Sequence, residues 1–118
     1  MYTCPCCGYE VFDSSPGSFD ICPICFWEDD GVQLYYPLLE GGANGSSLVE
    51  AQVSFVQFGA CKRDMAQHTR PVGENDRRDP LWFPLWERKV DIPDVEDASR
   101  GPTNAKSVAE LCYWLRHR

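Results

Sequence analysis

No lysine and no arginine occurs before Lys62. Eight carboxylates do: Glu10, Asp13, Asp20, Glu28, Asp29, Asp30, Glu40 and Glu50. Binding to a phosphate backbone needs basic side chains on the contact face, so the first half of the chain is excluded as a nucleic-acid surface. All eleven basic residues come later, where ten acids nearly cancel them, and the net charge of −7 is an N-terminal property. For a nucleic-acid backbone, only the stretch from Lys62 to Arg78 could touch phosphate. No apolar run approaches the ~20 residues of a membrane span. The opening "MYTCPCC" has neither the basic nor the apolar region of a secretory signal, so the expected compartment is the cytoplasm. A glycine-rich phosphate loop, a G-x-S-x-G elbow and an internal repeat are all missing.

Cysteine is abundant, with seven among 118 residues. A reducing compartment and an odd count both argue against a disulfide framework. The stretch "TCPCCGYE" places Cys4, Cys6 and Cys7 within four positions, and "DICPICFWEDD" adds Cys22 and Cys25. The second motif parses the first: Cys4 with Cys7 matches Cys22 with Cys25. Fourteen residues separate the pairs, just under the usual interval of a four-cysteine zinc site. Pro5 and Pro23 preset φ for a tight turn, and Gly8 can adopt positive φ after the second ligand. Two such knuckles would satisfy a tetrahedral Zn²⁺ completely. Cys6, inside the first turn, should point elsewhere and be dispensable for the metal. A disulfide or an iron–sulfur centre is the competing reading of the same residues.

Between the pairs, "YEVF" reads as a short strand and the stretch from Asp13 to Ser18, rich in serine with Pro16 and Gly17, as a turn. A hairpin there would bring the knuckles together. Ser47 and Glu50 form a capping box opening a helix with Leu48, Ala51, Phe55 and Phe58 on its apolar face. "LWFPLW" (81–86) reads as an edge segment over the core. Ser107 and Glu110 form another capping box, with Val108, Leu111, Cys112 and Leu115 as the buried stripe. The expected fold class is α+β: a small zinc-ribbon β-hairpin with two zinc knuckles packed on a central α-helix, plus a C-terminal helix.

Three blocks in order, "YTCPCCGYE", "DICPICFWEDDGVQ" and "GGANGSSLVEAQVSFVQFGA", resemble the bacterial cysteine-rich CPCC family. The resemblance covers about residues 2–60 and implies a cytosolic zinc-ribbon-like domain. The chain then divides into residues 1–80, the CPCC domain with its helix, and residues 81–118, a C-terminal extension packed on the same domain.

Function is less constrained. A four-cysteine zinc has no open position and cannot activate water. The expected role is a protein-interaction or regulatory module for a basic partner, with the anionic half attracting it. Candidate contacts are Trp27, Glu28, Asp29 and Asp30 in "WEDD" and Trp82, Phe83 and Trp86 in the later aromatic run. The alternative is a small enzyme, a hydrolase or biosynthetic enzyme, with a site separate from the zinc. Cys61, Asp64 and His68 would share one face if the helix passed Gly59, and "WEDD" carboxylates could join His68 at a metal. The bland alternatives are a solvated helix end and a solvated turn ending at Gly31.

Overall fold

Gly8 N–H donates to the Cys4 carbonyl and Cys4 N–H to the Tyr9 carbonyl. That closed turn sets residue 3 opposite residue 10. Strand β1 (Tyr2–Thr3) therefore pairs antiparallel with β2 (Glu10–Phe12), in the register Tyr2↔Phe12 and Thr3↔Glu10 with one irregularity between them. The strand expected at "YEVF" exists, but its partner is the chain before the first cysteine pair, not the chain after the turn at residues 13–18. The computed structural model describes residues 1–95 and 107–116. Residues 96–106, which hold most of the stretch "VDIPDVEDASRGPTN" (90–104) that reads from sequence as an acidic linker, and residues 117–118 lie outside the described residues.

Helix α1 (Gly31–Tyr35) begins where the sequence suggested only the end of a turn. Asp30 is its N-cap. One carboxylate oxygen accepts from Val32 N at 2.9 Å and Gln33 N at 3.2 Å, and the other accepts from Ala43 N at 2.9 Å. The glycine-rich loop that follows is held by two buried amides. Gln33 Nε2 donates to the Leu39 and Ser46 carbonyls, and Gln33 Oε1 accepts from Asn44 N and Nδ2. Asn44 in turn bonds both backbone groups of Glu28. Loop carbonyls and amides taken from water thus find partners.

Helix α2 (Leu48–Phe58) starts at the expected capping box of Ser47 and Glu50 and ends at Gly59 in the left-handed region, φ 73. A glycine there has no Cβ penalty. The buried side of α2 is narrower than its apolar residues suggest. Leu48, Ala51 and Gln52 are buried, Phe55 is half-buried, and Val53, Val56 and Phe58 are exposed. Periodicity alone marks apolar positions, not which neighbours arrive to cover them.

The C-terminal segments close the core. "LWFPLW" forms no strand; Phe83 and Leu85 are buried, and Leu85–Glu87 makes a 3₁₀ turn. Helix α3 (Val108–Leu111) has the expected capping box, then gives way to a 3₁₀ turn at Tyr113–Leu115. Of the expected stripe only Cys112 is fully buried, while Tyr113 and Trp114 enter the core beside it. The α-helical period stops applying after Leu111, which is why those two aromatics were not foreseen. Among the described residues no helix is long and apolar enough to cross a membrane.

Gln52 ties these parts together. Its Nε2 donates to the Pro5 carbonyl and the Tyr113 hydroxyl, each at 2.9 Å, and its Oε1 accepts from Leu85 N at 2.8 Å. Tyr113 Oη also donates to the Phe83 carbonyl. Gln52→Leu preserves volume but leaves the buried Leu85 N–H unpaired, while Pro5 O keeps Trp82 and Tyr113 Oη keeps Phe83 O. A loss of roughly 1–3 kcal/mol is expected, read as a lower urea midpoint at unchanged slope. A change under about 0.5 kcal/mol would mean that water replaces the amide.

Candidate metal centre

The two cysteine turns are built alike. In the first, Cys4 N bonds Tyr9 O and Gly8 N bonds Cys4 O; in the second, Cys22 N bonds Trp27 O and Phe26 N bonds Cys22 O. The offsets are the same. Tyr9 also bridges Arg78, and Ile21 bridges Glu28. Gly8 and Phe26 occupy equivalent positions, with φ of 82 and 69. Gly8 was expected to take this conformation. Phe26 was not, because a left-handed phenylalanine is unfavourable; its ring stacks on His68 with centroids 5.0 Å apart. The first turn could not accept a side chain. A Cβ on Gly8 would meet Trp82 Cε3 at 2.5 Å.

Cys4, Cys7, Cys22 and Cys25 converge. Each is fully buried, and their sulfurs all lie within 4.8 Å of one another. Cys4 Sγ is 3.6 Å from Cys25 Sγ, and Cys7 Sγ is 3.8 Å from Cys22 Sγ. These separations are far longer than a disulfide bond of ~2.05 Å, and all seven cysteines are free. The four thiols could hold a metal ion. Burial pushes the Cys4 and Cys25 thiols well above their usual range, while hydrogen bonds from neighbouring thiols, Cys25 first, hold Cys22 far below it. Buried thiolates this close repel one another, and a divalent cation at the centre removes that repulsion. Cys6 is buried beside the cluster but outside the group of four.

"WEDD" is not the solvated turn expected. Trp27 is 0% exposed, Asp29 1% and Asp30 6%. Asp29 accepts from Ser18 Oγ at 2.8 Å and Ser18 N at 3.3 Å, and burial raises its pKa despite those bonds. Asp30 is spent on capping α1. Glu28 is half-buried. These residues build the loop around the second knuckle, so Trp27, Asp29 and Asp30 present no contact surface. Phe83 is likewise buried, Trp82 is half-buried, and Trp86 is 50% exposed.

The face expected from Cys61, Asp64 and His68 does not form, because α2 stops at Phe58 and Arg63–His68 is a separate 3₁₀ turn. Cys61 is buried with its thiol pushed up to about 12 by desolvation, whereas Asp64 and His68 are exposed. A thiol so far from ionisation is a poor nucleophile. His68 has no carboxylate companion from "WEDD" among the described residues, where the four cysteines are the group that could hold a metal. Sequence reasoning missed Gln52 and Trp82 as supports of the first knuckle. Both donate to the Pro5 carbonyl, Trp82 Nε1 at 3.0 Å. Pro5 was a visible signal, since a carbonyl inside a buried turn needs a donor from elsewhere.

A mixed α+β fold around four convergent buried thiols defines a cysteine-rich protein with a site fit to hold a metal ion. The family model described as cysteine-rich CPCC matches residues 2–76, and the chain belongs to that family. Comparison with curated proteins gives no match.

Removing one ligand should separate the parses of the first motif. Cys22→Ser is expected to lose the bound metal on elemental analysis, while Cys6→Ser keeps the full complement. Equal metal in wild type and Cys22→Ser contradicts the ligand set, and metal loss in Cys6→Ser contradicts the pairing of Cys4 with Cys7.

Proposed function

We propose that Cys4, Cys7, Cys22 and Cys25 hold one structural Zn²⁺ in a zinc-ribbon-like arrangement, and that the protein is an interaction or regulatory module for a basic protein partner. The observation that carries the metal is the sulfur geometry. A tetrahedral site with Zn–S of ~2.3 Å has S···S edges of about 3.8 Å, against 3.6 Å for Cys4–Cys25 and 3.8 Å for Cys7–Cys22, with all four sulfurs within 4.8 Å of one another. Four protein donors leave no position for water, so the ion would fix the two knuckles and not do chemistry. Residues 81–118 are read as an extension on the CPCC domain, since the family match ends at 76. A cytoplasmic setting suits the reduced thiols.

Charge supports the partner reading. Several basic side chains of the 62–78 stretch are engaged internally. Arg70 pairs with Asp76 at 2.7 Å and Arg77 lies 3.7 Å from Glu10. Arg78 Nε donates to the Cys7 carbonyl, with its guanidinium over both Tyr9 and Trp82. Contact is assigned to apolar groups that are exposed: Trp86, and Phe19 and Ile21 at 55% and 48%, with Asp20 between them. Exposed ion pairs contribute only ~0.2–1 kcal/mol each, so these side chains would carry affinity and the carboxylates the association rate.

Two measurements test the proposal. Colourless protein with one zinc by elemental analysis is expected, whereas a visible charge-transfer band with iron overturns the zinc assignment. In a mobility-shift assay at low salt, neither duplex nor single-stranded nucleic acid should bind. Tight binding lost in Arg77→Ala would move the function to the basic stretch.

A further inference from the structure

We propose that the cleft between the Arg88–Pro93 segment and Arg116 binds a small phosphate monoester. The cleft measures about 510 Å³, within the range of small-molecule sites. In a chain of net charge −7 it is lined by three cations, Arg88, Lys89 and Arg116, and one carboxylate, Asp91.

Arg116 supplies the chemical signature. Its Nε and Nη2 are buried and have no hydrogen-bond partner among the described residues. These two N–H groups lie on one edge of the guanidinium and point the same way. That edge matches two oxygens of an oxyanion in a bidentate contact. The guanidinium carbon lies 5.5 Å from the Tyr35 ring centroid, within cation–π reach. Burial lowers the Arg116 pKa, consistent with a charge short of compensation. The edge is shielded from water, so a ligand engages it by drawing the side chain toward the cleft it already lines.

The other groups narrow the ligand. Lys89 Nζ is held by Glu87 at 2.9 Å and lies over the Phe83 ring. Arg88 is exposed and keeps a left-handed backbone, φ 55, a conformation that non-glycine residues hold where the surroundings impose it. A carboxylate would be used up by the Arg116 edge. A phosphate has a third oxygen left for Arg88. Asp91 repels a bare anion but accepts a hydrogen bond from a hydroxyl. A phosphate ester carrying hydroxyl groups satisfies all three residues, and the volume leaves room for its organic part.

The full-length, metal-loaded protein is titrated with glycerol 3-phosphate and, separately, with inorganic phosphate. Heat and the ¹⁵N-edited arginine Nε–H spectrum are recorded. Saturable, salt-sensitive binding of the ester is expected, tighter than that of inorganic phosphate, with the Arg116 Nε–H resonance shifting. Arg116→Gln should weaken it by roughly tenfold or more, as for a lost charge-assisted pair. Arg88→Gln should weaken it several-fold, and Arg63→Gln, whose guanidinium sits over Phe58, should leave it unchanged. If Arg116→Gln loses its fold by circular dichroism, the exposed Arg88→Gln decides. No saturation at roughly 10 mM ester, or unchanged affinity in the folded cleft variants, overturns the site. Equal affinity for ester and inorganic phosphate overturns the ester assignment.

Discussion

The carbonyl groups of the two cysteine turns hold most of this structure in place. The first turn offers Pro5 O to Gln52 and Trp82, Cys7 O to Arg78, and Gly8 O to Asp79 N. The second offers Pro23 O to Arg70 N and Cys25 O to Cys61 N. Tight turns that aim their sulfurs inward must aim several carbonyls outward, and in a buried setting each needs a donor. Later segments of the chain supply those donors. The convergence of four sulfurs therefore governs where α2, the 62–79 stretch and the aromatic run are laid down.

Acidity plays two separate parts. Asp29 and Asp30 are buried and act locally, one anchoring the Phe19 loop through Ser18 and the other capping α1. Asp13, Asp20, Glu40 and Glu50 are exposed and give the N-terminal half its outward charge. Phe19 sits among them with a left-handed backbone and an exposed ring. Its N–H bonds Asp29 O, and Asp20 N bonds Ser18 Oγ. A strained residue persists when its surroundings over-determine it, and here the buried Asp29 does so. The backbone at Phe19 is thus fixed while its ring stays open to solvent.

The other cysteines differ from the four by environment. Cys61 and Cys112 are buried among apolar neighbours, and desolvation pushes each thiol up to about 12. They behave as small core residues. Cys6 lies beside the cluster, yet its place inside the turn keeps it out of the convergent set. Sequence adjacency to Cys7 was sufficient to foresee that, because neighbouring residues in one tight turn cannot both aim inward.

The sequence by itself determined the local chemistry: the pairing of Cys4 with Cys7 and Cys22 with Cys25, the capping boxes at Ser47 and Ser107, the core role of Cys112 and the one-sided charge. Each is set by spacing within a few residues, or by composition. Tertiary structure alone decided which donors serve the turn carbonyls, that Gln52 is buried, that Asp29 and Asp30 face inward, and that Val53, Val56 and Phe58 stay exposed. It also decided that β2 pairs backwards with β1 and that α2 ends at Gly59, so Cys61, Asp64 and His68 share no face. A glycine can continue a helix or end it, and Gly59 ends this one because the next residues are drawn to the second knuckle, where Cys61 N bonds Cys25 O. Burial of a polar side chain depends on partners dozens of residues away: Gln52 is buried because Pro5, Leu85 and Tyr113 meet at its amide, and no local pattern carries that information.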